Sequence, residues 1–183
     1  MLTLAVAGAV VVVLLLSVVV AYNGLVRRRN QVDNAWAQVD VQLRRRYDLI
    51  PNLVATVQGY AAHERGALEA VARARAQAMN AGGTAELAHA EQALTGALRG
   101  LFAVVESYPQ LKANGNFIQL QQELANTEDR TAYARQYYND SVLSYNNAIG
   151  TFPRNLVAAT TGFRSRDYFR VEGADAGPVT VRF

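Results

Sequence analysis

The sequence predicts an all-α protein in which a single N-terminal transmembrane helix is followed by a four-helix bundle. Two patterns predict this fold class. Residues 2–22 form an uncharged run dominated by Val, Leu and Ala. Beyond it, apolar side chains recur every three or four positions, which is the spacing of amphipathic helices. Four such segments with short connections can bury their apolar faces only by packing together.

The apolar run is long enough to cross a bilayer. At about 1.5 Å per residue, residues 2–22 extend roughly 31 Å, the thickness of the hydrocarbon core, and in lipid such a segment must be a helix. An arginine triplet, residues 27–29, follows the run, whereas no charged side chain precedes it. Because the positive flank stays in the cytoplasm, residues 1–22 are predicted to be the anchor of a single-pass protein, with Met1 outside and the helical domain cytoplasmic.

A cleaved signal peptide is the alternative to a retained anchor, since Val19, Val20 and Ala21 resemble a small-residue cleavage site. Three features disfavour it. The charged n-region is missing, the apolar run is too long for a signal peptide, and the arginines behind it would impede export. We therefore expect the anchor to be retained.

Composition excludes several kinds of chemistry. The chain has no cysteine, so disulfides, thiolate metal sites and thiol catalysis are unavailable. Its net charge of +3 is small, and no base-reading or stacking motif accompanies the charge, so we expect no nucleic-acid partner. Arg27, Arg28 and Arg29 are the expected lipid-facing basic residues, since beside a bilayer each is attracted to anionic headgroups by about 1 kcal/mol. A role in setting the membrane orientation would by itself explain these three arginines.

Glycine and proline divide the chain beyond the anchor into four helical segments. Pro51 cannot continue a helix without a clash one turn back, so the first segment is predicted to end or kink near Asp48 and the second to run from Leu53. The glycine pair at 82–83 ends the second segment, and Pro109 ends the third.

The fourth segment is predicted to begin at Asn116, which with Gln119 resembles a capping arrangement. The helical bundle domain is expected to span residues 23–163. From 164 to 183, glycines and mixed charges predict a loosely ordered tail.

One carboxylate interrupts the apolar seam of the third segment. Glu91 occupies the missing place in a seam formed by Leu87, Leu94, Leu98, Leu101, Val105 and Tyr108. A carboxylate that faces a core needs a partner or shifts its pKa. We expect Arg135 or a threonine hydroxyl of the fourth segment to pair with Glu91 in a polar layer that fixes helix register. A proton-transfer or ligand pocket is the alternative.

Two incomplete metal motifs argue against a cofactor. His63 and Glu64 begin the zinc-protease pattern, but Ala67 replaces its second histidine. Glu86 and His89 have the spacing that helical bundles use to hold two irons, but such a site needs two copies of it and the chain has only 2 histidines. We expect no metal, no cofactor and no enzymatic activity.

Several short stretches match one known family. They are Tyr22-Asn23-Gly24-Leu25-Val26, Ala35-Trp36, Asp40-Val41-Gln42-Leu43, Arg45-Arg46-Tyr47-Asp48-Leu49-Ile50-Pro51-Asn52-Leu53-Val54, Gly59-Tyr60-Ala61, Glu106-Ser107-Tyr108-Pro109 and Tyr137-Tyr138-Asn139. Together they resemble the LemA family of bacterial membrane-anchored proteins, and the resemblance covers nearly the whole chain. The adjacent matches at 45–54 make it specific.

The resemblance implies an N-terminal anchor, a four-helix bundle and no established enzymatic activity. It also implies a bacterial cytoplasmic (inner) membrane, where family members are discussed as accessory proteins beside a membrane zinc metalloprotease. A related protein takes part in magnetosome membrane formation. The family motif comprises Arg45, Tyr47, Asp48, Pro51, Asn52 and Tyr60. Turn and cap chemistry explains these residues without a ligand.

Two functions follow as hypotheses. The first is a non-enzymatic adaptor or scaffold at the cytoplasmic membrane face that assists a membrane stress protease. The alternative is a homo-oligomeric membrane-remodelling or membrane-organising protein that binds anionic lipid. We expect a homo-oligomer. Trp36 is the interface candidate, since it is a large side chain near the bilayer that could lie in an interface or in the core.

Overall fold

The structure, a computed structural model, describes residues 1–170. Within this range the chain forms six helices and no strand. They are α1 (Leu2–Tyr60), α2 (Arg65–Asn80), α3 (Thr84–Val105), α4 (Pro109–Lys112), α5 (Gly115–Gly150) and α6 (Arg154–Thr161). The predicted all-α fold with a long apolar N-terminal helix is confirmed.

Helix α1 contains the predicted anchor. By length and composition it is the one helix within residues 1–170 that could cross a membrane. Of the side chains in residues 2–22, only Ala21 is buried against the rest of the protein. This run of exposed apolar side chains is what a lipid-facing segment requires.

The first segment was predicted to end or kink near Asp48. It does not end there, because α1 continues through Pro51 to Tyr60, and a kink stays a prediction. Proline has no N–H, so the carbonyl of Tyr47, four residues earlier, loses its normal helical donor. Arg75 of α2 supplies a replacement: its Nε donates to the Tyr47 carbonyl oxygen at 2.8 Å. The helix therefore tolerates the proline, and the break falls at residues 61–64 instead.

The start of the fourth predicted segment is also corrected. Helix α5 begins at Gly115, and Asn114 rather than Asn116 caps it. The Asn114 Oδ1 accepts from the backbone N–H groups of Asn116 at 2.9 Å and Phe117 at 3.1 Å. These are donors that the first turn of a helix otherwise leaves unsatisfied.

The chain divides into two compact units, to both of which α1 and α5 contribute. Unit 1 consists of Met1–Val39 and Ala134–Asp167, and unit 2 contains Asp40–Tyr133 and resumes at Tyr168.

In unit 1, α6 and the end of α5 pack on α1 where the apolar run ends. The buried cluster comprises Ala21, Leu25, Ala148, Val157 and Ala158, with Ile149 and Phe163 packed against it.

The predicted loosely ordered tail, 164–183, lies mostly outside the described residues. Three of its first four residues, Arg164, Arg166 and Asp167, are hydrogen-bonded to α5. The hydroxyl of Tyr145 donates to the Arg164 carbonyl at 2.9 Å, and Asn146 exchanges two bonds of 2.9 Å with the Arg166 backbone. These bonds attach the extended segment after α6 to unit 1.

In unit 2, α2 packs against α3. Leu68 and Val71 of α2 and Leu94 and Leu101 of α3 are buried. Phe102 of α3 also meets Phe117 of α5 edge to face, with 6.2 Å between ring centroids. These apolar contacts form part of the core of unit 2.

We predict that Arg75→Met lowers the free energy of unfolding by about 1–3 kcal/mol, because it removes the donor to the Tyr47 carbonyl. In a Pro51→Ala background the same change should cost much less, since an alanine at this position supplies the N–H that a helix uses for this carbonyl. Urea unfolding of the full-length protein in detergent, followed by circular dichroism, measures both. The control is Arg73→Met, which removes an exposed pair with Glu69 and should have an effect within about 0.5 kcal/mol. An equal cost of Arg75→Met in both backgrounds would contradict this explanation.

Candidate functional site

The most buried charges of the described chain form an ion pair in unit 2. Arg46 of α1 and Glu91 of α3 are each 4% exposed, and Arg46 Nη1 lies 3.0 Å from Glu91 Oε2. A buried charge is tolerated only when it is paired and hydrogen-bonded. Arg46 and Glu91 can therefore be buried only as a pair.

Three further side chains complete this polar cluster. Tyr47 donates its hydroxyl to Glu91 Oε1 at 2.6 Å, so both carboxylate oxygens accept a hydrogen bond. Arg46 Nη2 bonds to Thr95 Oγ1 at 3.0 Å and to Glu128 Oε2 at 2.6 Å. The cluster therefore links α1 to both α3 and α5.

The cluster holds the Tyr47 phenol in its neutral form. Burial and the hydrogen bond to Glu91 raise the pKa of Tyr47, and the nearby charge of Arg46 opposes them without reversing the shift. The pKa of Tyr47 is higher in the folded than in the unfolded chain. Its contribution to the free energy of unfolding is therefore fully present below the ordinary tyrosine pKa of about 10. It is lost only as the pH rises through the raised folded pKa.

The geometry of the cluster favours a structural role. Glu91 is already engaged at both oxygens, so it is poorly placed to act as a general base. Within residues 1–170 there is no group of three His, Asp or Glu side chains that could hold a metal ion. The hydrogen bonds of the cluster instead determine which helices pack against each other, and at which positions along their length.

Glu91 is thus buried and paired, and its partners lie on α1. The sequence suggested Arg135, which belongs to unit 1, and its part in this layer stays a prediction. Sequence reasoning missed Arg46, although a signal was present. Arg46 is three residues after Leu43 and four before Ile50, so it continues the buried seam of its helix.

The family motif does not converge on a single site. Tyr47 points into the cluster, whereas Asp48, Pro51 and Asn52 are exposed. Arg45 makes a half-exposed salt bridge of 3.1 Å with Glu123.

Tyr60, the last motif residue, lines a small open groove. Its hydroxyl accepts from Asn114 Nδ2 at 2.9 Å. The groove has a volume of about 340 Å³ and is lined by Tyr60, Ser107, Tyr108, Pro109, Gln110 and Leu111. None of these side chains is charged, and Tyr108 is occupied by a 2.9 Å hydrogen bond to Glu64 that raises its pKa. The groove thus offers no acid–base pair.

The basic residues that follow the apolar run lie in unit 1. Arg27 is exposed. Arg28 donates to the hydroxyl of Ser144 on α5, and the Arg29 guanidinium lies over the Phe163 ring, 5.5 Å from its centroid. Their role toward lipid stays a prediction.

Trp36, the interface candidate, packs within unit 1. Its ring centroid is 5.1 Å from that of Tyr138, a buried residue of α5. Trp36 itself is half-buried. The sequence left two roles open for Trp36, in an interface or in the core, and this contact is evidence for the core.

We predict that Arg46→Met lowers the free energy of unfolding by roughly 3–5 kcal/mol, because it leaves a buried carboxylate without its counter-charge. Adding Glu91→Leu should recover part of the loss, since the orphaned carboxylate is then removed. Urea unfolding of the full-length chain measures all variants. Arg44→Met is the matched control, because Arg44 makes only an exposed pair with Asp40 and should matter by less than about 1 kcal/mol. A change for Arg46→Met as small as that of the control would refute a buried pair.

Comparison with known proteins identifies the family. The sequence model of the LemA family matches residues 35–183. Magnetosome protein MamQ of Magnetospirillum gryphiswaldense is 28% identical over 97% of this chain and 75% of its own length. Magnetosome protein MamQ 2 of Paramagnetospirillum magneticum is 26% identical over 92% of this chain and 72% of its own. Protein LemA of Metamycoplasma hominis is 29% identical over 74% of this chain and 63% of its own.

The family match extends over most of the chain and includes the polar cluster and its motif. It contains the stretches that carried the resemblance in the sequence, except 22–26. The chain belongs to the LemA family.

Proposed function

We propose that this protein is a non-enzymatic scaffold that a single membrane-spanning helix anchors to a bacterial inner membrane, with its helical units on the cytoplasmic side. One observation carries the proposal. The same helix, α1, contains the apolar run, contributes to both units and supplies Arg46 and Tyr47 to the polar cluster. A partner that binds either unit is thereby tied to the bilayer by continuous helix.

The interior of unit 2 supports a scaffold more than an enzyme. Its buried ionisable side chains bond to one another, as Arg46 does to Glu91. An active site needs a group that remains available to a substrate and has a matched pKa. The proposed scaffold needs only stable helices and exposed faces.

The proposed orientation rests on the flanking charge. The arginine triplet at 27–29 lies on one side of the apolar run and no charged side chain on the other, which favours a cytoplasmic location for both units.

A second candidate is a homo-oligomeric, membrane-organising protein that binds anionic lipid. Two observations favour it. The relatives named as magnetosome proteins match more than nine-tenths of this chain. In unit 1, Arg27 and Arg29 are exposed beside the apolar run, where cations are attracted to anionic headgroups.

The topology predicts the behaviour of a reporter. Alkaline phosphatase fused after Phe183 should be inactive, because it folds to its active form only when exported, and a cytoplasmic fluorescent reporter at the same place should work. A matched fusion in which Arg27, Arg28 and Arg29 are all changed to Gln should show increased export, since these charges set the orientation. High phosphatase activity of the unmodified fusion would overturn the cytoplasmic placement.

The scaffold role predicts a protein partner. Tagged full-length chain purified from native membranes in mild detergent should recover a membrane protein in stoichiometric amount. The control is residues 1–30 fused to an unrelated soluble domain, which keeps the anchor but lacks both units and should recover nothing comparable. A zinc metalloprotease among the recovered proteins would identify the proposed assisted enzyme. Recovery of the chain alone, as a multimer by light scattering, would contradict the scaffold and support the membrane-organising candidate.

A further inference from the structure

Two large apolar side chains are exposed at the turn between α5 and α6 in unit 1. Phe152 is 76% exposed and Leu156 is 60% exposed. They lie within four residues of each other, so they share one small region of the surface. A contiguous apolar patch on a surface can mark a contact with a partner or a membrane, so the surroundings of these two side chains decide how they are interpreted.

The alignment of α5 against α1 shows where this turn lies along the apolar run. The two helices run antiparallel in unit 1, as the contacts of Arg28 with Ser144 and of Trp36 with Tyr138 show. Phe152 is eight residues beyond Ser144, and Val20 is eight residues before Arg28. Eight helical residues rise about 12 Å. Because α5 ends at Gly150, only six of the eight residues after Ser144 are helical, and they rise about 9 Å. Phe152, in the turn beyond them, therefore comes about level with residues 20–22, at the end of the apolar run.

Helix α6 lies at the same end of unit 1. Val157 and Ala158 pack with Ala21 and Leu25 of α1, so the short helix rests on α1 where the apolar run ends. Leu156, next to this buried pair, points away from the core and into solvent. The helix thus has one face toward α1 and one apolar side chain that is mostly exposed.

Unit 1 also has several arginines at its surface, one of which follows the turn directly. Arg154 begins α6 and lies beside Gly24, its Nε 4.0 Å from the position that a Cβ would take there. Arg27, Arg29 and Arg164 are exposed. Apolar side chains with arginines next to them form the pattern of an element that lies in the membrane interface, where the apolar groups enter the acyl boundary and the cations reach headgroups.

We propose that residues 151–153 and α6 form a second membrane contact, which inserts Phe152 and Leu156 into the leaflet from which α1 emerges. The occupant of this surface is lipid and not a second copy of the chain, because the turn is about level with Val20, which is itself 71% exposed within the apolar run. A membrane that surrounds Val20 reaches Phe152 as well. The contact fixes the rotation and tilt of unit 1 against the bilayer, which one helix alone would leave free. It depends on α1 spanning a bilayer and not on the scaffold role or the orientation.

The chain has no cysteine, so single labels can be placed without removing any native residue. Phe152→Cys and Leu156→Cys would each carry a nitroxide in the full-length protein, reconstituted in nanodiscs of phosphatidylcholine and phosphatidylglycerol. Collisions with oxygen, which partitions into lipid, are compared with collisions with a nickel chelate, which stays in water. The matched control is Gln136→Cys, an exposed site on α5 in the same unit, about 21 Å along the helix from its end at Gly150.

We expect the labels at 152 and 156 to lose nickel collisions and gain oxygen collisions relative to the label at 136. Nickel access at both sites equal to that at 136 would overturn the proposal. Protection from both reagents, together with spin–spin broadening that vanishes on dilution with unlabelled chain, would assign the turn to a second copy and would also overturn it. Because Phe152 and Leu156 are both exposed, neither replacement should disturb folding. An unchanged circular dichroism spectrum verifies this for each.

Discussion

A guanidinium can be buried among helices only if acceptors are brought to it, and this constraint organises unit 2. Arg46 and its neighbour Tyr47 bond to all three of the other long helical segments in the unit. Tyr47 accepts from Arg75 of α2 through its carbonyl and donates to Glu91 of α3 through its hydroxyl. Arg46 reaches Glu91 and, on α5, Glu128. Two adjacent residues of α1 therefore determine the level at which the other helices pack.

Pro51 belongs to the same arrangement. By lacking an N–H it frees the Tyr47 carbonyl, and that carbonyl then bonds to Arg75 instead of to its own helix. A defect within α1 is thus converted into a link between α1 and α2. Specific pairing of helices is the benefit that a polar layer of this kind can provide.

The same contacts explain what could be predicted from the sequence. The apolar run and the amphipathic period are local patterns, so the all-α class and the membrane-spanning candidate were predicted correctly. The continuation of α1 past Pro51 was not, because the group that compensates for the proline is Arg75, whose bond to Tyr47 spans 28 positions of the chain. Similarly, the period of α3 placed Glu91 on a seam, but one helix's pattern cannot say which residue of another helix lies opposite. Arg46 and Arg135 were both chemically suitable, and only the packing of α1 on α3 shows Arg46 in contact.

The two units present different chemistry, which bears on the proposed function. Around the end of the apolar run, unit 1 combines exposed apolar side chains with arginines such as Arg27, a combination suited to lipid. The surface charges of unit 2 are more often paired with each other, as in Arg45 with Glu123 and Lys112 with Glu106. Exposed pairs of this kind add little stability and present both signs of charge, which suits recognition of a protein surface. In the proposed scaffold, unit 1 would hold the membrane and unit 2 a protein, and α1, which contributes to both units, would connect them.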